Sequence, residues 1–220
     1  MPTWGCSVSH YKLPILEEKG FVVLKNYGKE IPREEYADME YVDWKSGGDT
    51  NFAPIASAFG DMECRGFWDH GKPDKDGIWT DNAKACPSLV KWTKDVGARF
   101  GRVRTIMLNP NTEEQALHNL HPDDNNRLNP ENEGWVVRAW LQLTDNPGSY
   151  MILREDKDDP STESRIALPA GAQFVVDSER LQHAVYHPGP GVRYALIVSF
   201  ESGPQLDDWI MANLPEPAVV

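Results

Sequence analysis

From Arg102 onward the chain breaks into short apolar runs with residue-by-residue alternation, separated by turn-forming clusters. Alternation of period two is the signature of half-buried strands, so this stretch can fold into little except layered antiparallel sheet. The runs are Val103–Leu108, Gln115–His121, Gly134–Leu143, Tyr150–Leu153, Arg165–Leu168, Ala172–Val176, Leu181–His187 and Val192–Phe200. Between them stand Asn109-Pro110-Asn111, Asp145-Asn146-Pro147-Gly148 and Pro188-Gly189-Pro190-Gly191, which supply fixed or positive φ for tight turns. Roughly eight short strands with regular turns predict a mainly β fold, a closed sandwich or jelly roll.

The first hundred residues read differently. Gly20 to Asn26 (Gly-Phe-Val-Val-Leu-Lys-Asn) predicts an opening strand. Ile31-Pro32-Arg33-Glu34-Glu35 has the proline and acids of a helix start. Ser46 to Asn82 is rich in Gly, Asp, Lys and aromatics without periodicity, and reads as long loops. Pro87 opens a helix predicted to run to about Phe100, with Leu89, Val90, Trp92, Val96 and Phe100 on one face. A last helix is expected from about Pro204 to Asn213, before a loose Pro-Glu-Pro-Ala-Val-Val tail. The expected organisation is one domain over 1–220: a β core of about 103–200, N-terminal support in 1–102, and a C-terminal helix and tail in 204–220.

A formal charge of −12 repels phosphate backbones, so nucleic acid is not an expected partner and a small-molecule substrate is. No apolar run approaches membrane-spanning length and no signal-peptide pattern opens the chain; the expectation is a soluble, cytoplasmic protein with no membrane partner. Cys6, Cys64 and Cys86 have no paired spacing, which argues against a disulfide framework or a zinc knuckle. The oligomeric state is not legible.

Within this β frame, His121-Pro122-Asp123 places an imidazole and a carboxylate two residues apart, on one side of an extended chain. Asn119 shares the face of His121 if Gln115–His121 is a strand, and His118 points away. In Leu181–His187 the residues Leu181, His183, Val185 and His187 share a face, so either His183 or His187 can supply a second imidazole. His187 abuts the Pro-Gly-Pro-Gly turn and is expected as a solvated rim residue. Two imidazoles and a carboxylate on one face of a metal leave other positions open, the arrangement of non-haem Fe(II) oxygenases. On the return strand Arg193 shares its face with Ala195, Ile197 and Ser199, an interior environment in which a guanidinium needs an anion.

His121-x-Asp123, His183 and Arg193 together resemble the signature of the Fe(II)/2-oxoglutarate-dependent dioxygenase superfamily, over the strands from about Val103 to Phe200. Gly20 to Asn26 is similar to the start of many small hydroxylases of this kind. Leu168 to Asp177 (Leu-Pro-Ala-Gly-Ala-Gln-Phe-Val-Val-Asp) is similar to the strand and turn before their distal His. The resemblance implies a cupin-like double-stranded β-helix flanked by a few helices. It implies that His121, Asp123 and His183 bind Fe(II), that Arg193 binds the distal carboxylate of the cosubstrate 2-oxoglutarate, and that O2 is the oxidant. Many members carry a Ser two residues after the Arg. Here Ala195 stands there, so Tyr150, Thr144 or Ser199 would complete the pocket. A carboxylate at Asp123 favours hydroxylation over halogenation.

Further residues carry weaker signals. Arg138 or Arg154 is a candidate to hold a substrate carboxylate. Trp68 and Trp79, in the polar loops, are lid candidates, with Gly66-Phe67-Trp68-Asp69-His70-Gly71-Lys72-Pro73 as the lid-like loop. His10 and His70 read as surface residues. The implied activity is hydroxylation of a small polar substrate, a free amino acid or natural-product intermediate. The rivals are a cupin-like metal- or ligand-binding protein without turnover, and a nucleobase- or nucleotide-directed oxygenase, which the charge disfavours.

Overall fold

The computed structural model describes residues 13–43, 50–129 and 134–216. Cys6 and His10, the start of the expected loop region at 46–49 and the tail residues 217–220 lie outside this set.

Two antiparallel sheets face one another. The larger runs in the order β1 (Phe21–Leu24), β9 (Gln173–Val176), β6 (Val136–Gln142), β11 (Arg193–Glu201), β5 (Phe100–Leu108), β3 (Thr50–Ser57) and β2 (Val42–Asp43), with β4 (Ile78–Trp79) paired to β3. The smaller runs β10 (Gln182–Tyr186), β7 (Tyr150–Arg154), β8 (Ser164–Ala167). The architecture is the mainly β jelly roll that the sequence predicts.

Alternation divides the larger sheet into two faces with different occupants. On β6 and β11 the residues Val137, Ala139, Leu141, Leu196, Val198 and Phe200 point outward into the main apolar core, all with no exposed surface. Complete burial of side chains of this size contributes on the order of 1.5–3 kcal/mol each. Helices α2 (Pro87–Asp95) and α4 (Pro204–Ala212) cover that face with Leu89, Trp92, Leu206 and Ile210. Trp92 meets Trp209 edge-on at 5.6 Å, and its indole N–H donates to Gln173 Oε1 at 2.7 Å. The opposite face looks toward the smaller sheet. At one end Trp140, Phe174, Val176 and Ile197 pack there against Met151, Leu153, Ile166 and Leu181.

Three expectations are corrected. Gln115–His121 is not a strand. Thr112 caps a short helix, α3 (Glu113–His118), in a reciprocal capping box with Gln115, and Glu113 and Glu114 fill the first turn. The expected loops of 46–82 contain β3, all but its first residues buried, and the short β4. Pro54 interrupts the pattern of β3 and sits where the register with β5 shifts, a position that dispenses with a ladder hydrogen bond. The helix from Pro87 stops at Asp95 because Gly97 takes a left-handed φ of 77°, and Phe100 already begins β5. Trp79, on β4, meets Phe100 at a tilt with centroids 4.7 Å apart, and both are half-buried against the main core, a packing role in place of the expected lid.

Among the described residues no helix is long and apolar enough to cross a membrane.

Candidate metal centre and cosubstrate cavity

His121 and His183 are brought together by backbone pairing. They form an isolated antiparallel bridge, His183 N–H donating to His121 O at 2.9 Å and His121 N–H to His183 O at 3.4 Å. Residues paired in this way project side chains to one side, and the two imidazole centroids lie 4.6 Å apart. Just beyond the bridge, Asp123 N–H donates to Ser178 O at 2.7 Å, which turns its carboxylate toward the same spot. The donor atoms of His121, Asp123 and His183 all lie within 4.8 Å of one another. Among the described residues this is the group of three or more His, Cys, Asp or Glu that can hold a metal ion.

The rings are oriented by backbone carbonyls. Nδ1 of His121 is 2.8 Å from Asn119 O, and Nδ1 of His183 is 3.2 Å from Leu181 O. A carbonyl accepts only, so each Nδ1 carries the proton and each Nε2 keeps its lone pair for a cation. Arg138, fully buried on β6, donates from Nε to Asp123 Oδ2, and its Nη2 donates to Asn125 Oδ1 at 2.6 Å. Asn125 in turn reaches Asp123 Oδ2 at 3.4 Å and Ser178 Oγ at 3.2 Å. Both bonds to the carboxylate fall on Oδ2, which leaves Oδ1 for a metal.

Burial alone would push the Asp123 carboxyl up, but Arg138, His183, Arg102 and Arg104 outweigh it and hold it well below the usual range. Burial lowers His183 to about 4, against the opposing pull of Asp123. At neutral pH Asp123 is therefore a carboxylate and His183 a neutral imidazole, the forms a metal requires.

A pH dependence of stability follows. The folded pKa of His183 lies below that of the unfolded chain, so the unfolded state binds more protons between about pH 6.5 and 4. The contribution is fully present above about 6.5 and is lost as pH falls through that window, ~3 kcal/mol in all. Metal-free protein melted across this range is expected to lose stability with that slope, and His183→Gln to flatten it. A wild-type curve as flat as the variant's would overturn the assignment.

Two adjoining cavities meet at the triad. The outer, about 530 Å³, and the inner, about 150 Å³, share Phe52, Arg104, Asn119, His121 and Asp123 as walls. Arg193 lines the inner one. It is 1% exposed, and its Nε and Nη2 have no hydrogen-bond partner. Burial, with no carboxylate to offset it, lowers its pKa to about 9. A buried guanidinium with orphaned N–H groups facing a cavity next to a metal-ligand set fits a chelating acid whose far carboxylate it would hold.

The other sequence-derived candidates fall into place unevenly. Asn119 lines both cavities, as expected, but from the C-terminal end of α3 and not from a strand. Trp68 lines the outer cavity from a short 3-10 turn, Phe67–His70, and is 37% exposed, consistent with a lid. Arg138 borders the inner cavity, yet its guanidinium serves Asp123 and Asn125. Arg154 is remote from both cavities and is held by Glu163 at 2.7 Å and Lys157 O at 2.8 Å. It is a structural ion pair. His187 is fully buried, not solvated: Nδ1 meets Ser149 Oγ at 3.0 Å and Nε2 meets Gly191 O at 2.7 Å, which fixes the turn leading to Arg193. His70 pairs with Glu63 at 2.5 Å and is mostly buried.

The hydroxyls expected beside Arg193 are occupied elsewhere. Tyr150 donates to Glu113, Ser199 to Asp74, and Thr144 to Asn146. Thr50 lines the inner cavity instead, level with Leu108, the residue opposite Arg193 on the intervening strand. Sequence reasoning missed Thr50, Phe52, Arg102, Arg104 and Asn125. Arg102 and Arg104 did leave a signal, since they continue the face of Ile106 and Leu108 along one strand.

No family model matches the chain, and no curated protein matches its sequence. Solved structures do share its fold. An oxidoreductase of the 2OG-Fe(II) oxygenase family from Burkholderia pseudomallei aligns over 94% of this chain and 96% of its own, with 14% identity and a TM-score of 0.57. A prolyl hydroxylase from Trichoplax adhaerens, solved with a hypoxia inducible factor peptide fragment, aligns over 90% of each chain, with 13% identity and a TM-score of 0.52. The chain thus has the fold on which these oxygenases are built.

Proposed function

We propose that the protein is an Fe(II)- and 2-oxoglutarate-dependent oxygenase that hydroxylates a small polar molecule. The observation that carries this reading is the conjunction, around one cavity system, of the His121–Asp123–His183 donor set with the orphaned guanidinium of Arg193. Either feature alone has other uses. Together they suit a metal chelated by a keto acid whose other end is an anion. The shared fold supports the reading, since fold by itself does not set activity.

Bound iron with 2-oxoglutarate and O2 supplies the oxidation, one oxygen atom leaving in succinate, with carbon dioxide lost, and the other entering a substrate C–H bond. The chain's own residues do the positioning. His121, Asp123 and His183 hold the metal, and Asn119 O and Leu181 O keep both rings in the ligating tautomer. Arg138 keeps Asp123 ionised and aimed. Arg193, with Thr50 nearby, anchors the distal carboxylate. Trp140, edge-on to His183 at 5.9 Å, and Met151 keep the inner cavity apolar around that anchor and limit water. Substrate enters by the outer cavity, beneath Trp68.

The test is an anaerobic titration of Fe(II) and 2-oxoglutarate, following the visible metal-to-ligand charge-transfer band. Wild type is expected to show the band and His183→Ala to lose it. Iron binding without a band in wild type would leave a metal-binding protein without this chemistry.

A further inference from the structure

The outer cavity has a second concentration of positive charge besides the Arg193 anchor. Arg102 and Arg104 stand on the cavity face of β5, each only 8% exposed, and both line the outer cavity. Arg193 is the register partner of Leu108, which is four residues from Arg104 and six from Arg102 along the same strand. At about 3.3 Å per residue that is roughly 13 and 20 Å of strand, more than a five-carbon diacid reaches while chelating a metal in between.

Burial of two neighbouring cations is costly, and a bound anion would offset part of that cost. Burial first, and then repulsion from Arg138, lowers Arg102; burial, Arg102 and Arg138 lower Arg104 well below the usual range. Asp74 approaches from behind, but its carboxylate is engaged by Arg102 N–H at 2.6 Å and Ser199 Oγ at 2.8 Å. That approach depends on Gly101, where a Cβ would lie 2.0 Å from Asp74 Oδ1. Arg102 Nη1 reaches Cys64 O at 3.3 Å, and its buried Nε has no hydrogen-bond partner. The acids lining the outer cavity beyond Asp123, namely Asp69 and Asp124, are exposed, and Asp124 is paired with Arg127 at 3.5 Å.

Flat apolar surface accompanies the charge. The guanidinium of Arg104 lies 4.2 Å from the centroid of Phe52, and Phe52 and Trp68 both line the cavity.

Resting on the oxygenase reading above, we infer that the substrate is an organic anion whose oxyanion group is held by Arg102 and Arg104, with its body against Phe52 and Trp68 and its far end presented to the His121–Asp123–His183 set. A guanidinium pair of this kind takes a carboxylate bidentately and a tetrahedral oxyanion nearly as well. A chain with a net charge of −12 draws such a ligand only through a local field, and this cavity supplies one.

The test uses protein loaded with Mn(II) and N-oxalylglycine, an inert mimic of the cosubstrate that occupies the Arg193 end. Benzoate, its neutral isostere benzamide, and sulfate are titrated at constant ionic strength by calorimetry and thermal shift. Benzoate is expected to bind and benzamide not. Benzoate affinity is expected to drop at least tenfold in Arg102→Gln and Arg104→Gln, a larger fold-change than either variant shows for N-oxalylglycine. Arg104→Lys, which keeps the charge but not the two-pronged contact, is expected to bind benzoate more tightly than Arg104→Gln and separates a lost charge from a damaged fold. Sulfate binding with the same arginine dependence would support the anion site and assign it to a tetrahedral group. The inference fails if benzoate and benzamide behave alike and sulfate does not bind, or if the glutamine variants bind the anions as wild type does. Failure of N-oxalylglycine to bind wild type would instead strike the oxygenase reading, and the anion titration on metal-free protein would still report on the arginines.

Discussion

Arg193→Met is expected to make the ligand-free protein more stable and at the same time to abolish cosubstrate binding. The guanidinium is 1% exposed with two nitrogens unpartnered and no acid to offset its burial. Replacing a poorly compensated buried charge by a similar-sized apolar side chain is worth about 1–4 kcal/mol. For a domain of this length each kilocalorie moves the melting midpoint by about 2–4 °C. The variant should therefore melt several degrees higher than wild type without ligand. The order should reverse when N-oxalylglycine and Mn(II) are added, because only wild type gains from the anion. Loss of a desolvated charge-assisted contact costs about 2–5 kcal/mol, so 2-oxoglutarate affinity should fall at least ~30-fold. Metal affinity measured without the keto acid should not change. A variant that melts lower than wild type in both states would show that Arg193 has a structural partner and no ligand duty.

Arg138→Met is expected to act in the opposite direction. Here Nε and Nη2 have acceptors, although Nη1 has none among the described residues, and removal of the guanidinium leaves the half-buried Asp123 without its counter-charge and Asn125 Oδ1 without its donor. Breaking a buried pair from one side costs about 3–5 kcal/mol. A bound divalent cation restores much of the missing positive charge at Asp123. The rise in melting midpoint on adding Mn(II) should thus be larger in the variant than in wild type, measured at a pH where Asp123 is ionised in both. Equal metal-induced shifts in the two proteins would mean that Arg138 does not hold the ligand carboxylate.

Most of the sheet framework is legible from alternation because its strands have one face in the core and one toward the cavity. β5, β6 and β11 show this directly, and their bounds in the sequence and in the fold nearly coincide. β3 is hidden because nearly all its residues are buried, on both faces, and because Pro54 suggests a break where the fold has only a shift of register. α3 is misread for the converse reason. Ala116, His118 and Leu120 alternate with Leu117 and Asn119 by accident of composition, and the stronger local signal is the Thr112-x-x-Gln115 cap.

The donor set was readable because His121 and Asp123 are neighbours and His183 sits in a strand, although the backbone bridge between the histidines is a tertiary fact with no sequence trace. Arg138 reads in the sequence as a candidate for a substrate carboxylate, and in the fold its guanidinium donates to Asp123 and Asn125. Its partner Asn125 arrives from a loop that periodicity does not address. Arg154 carried the same signal as Arg138 and serves only Glu163 and the Lys157 carbonyl. Charge on a strand shows that a partner is needed, without saying which.

The two faces of the larger sheet have a consequence for how this protein can change. Packing against α2 and α4 involves one set of positions on β6 and β11, and ligand recognition involves the positions between them. The same alternation on β5 puts Val103 in the outer core and Arg102 and Arg104 at the cavity, so exchanges at these two positions leave that packing intact and would relieve buried charge. Selectivity can drift on such a scaffold through viable intermediates. The ligand range of proteins that share this architecture is free to diverge faster than the architecture itself, which accords with a fold kept at 14% identity.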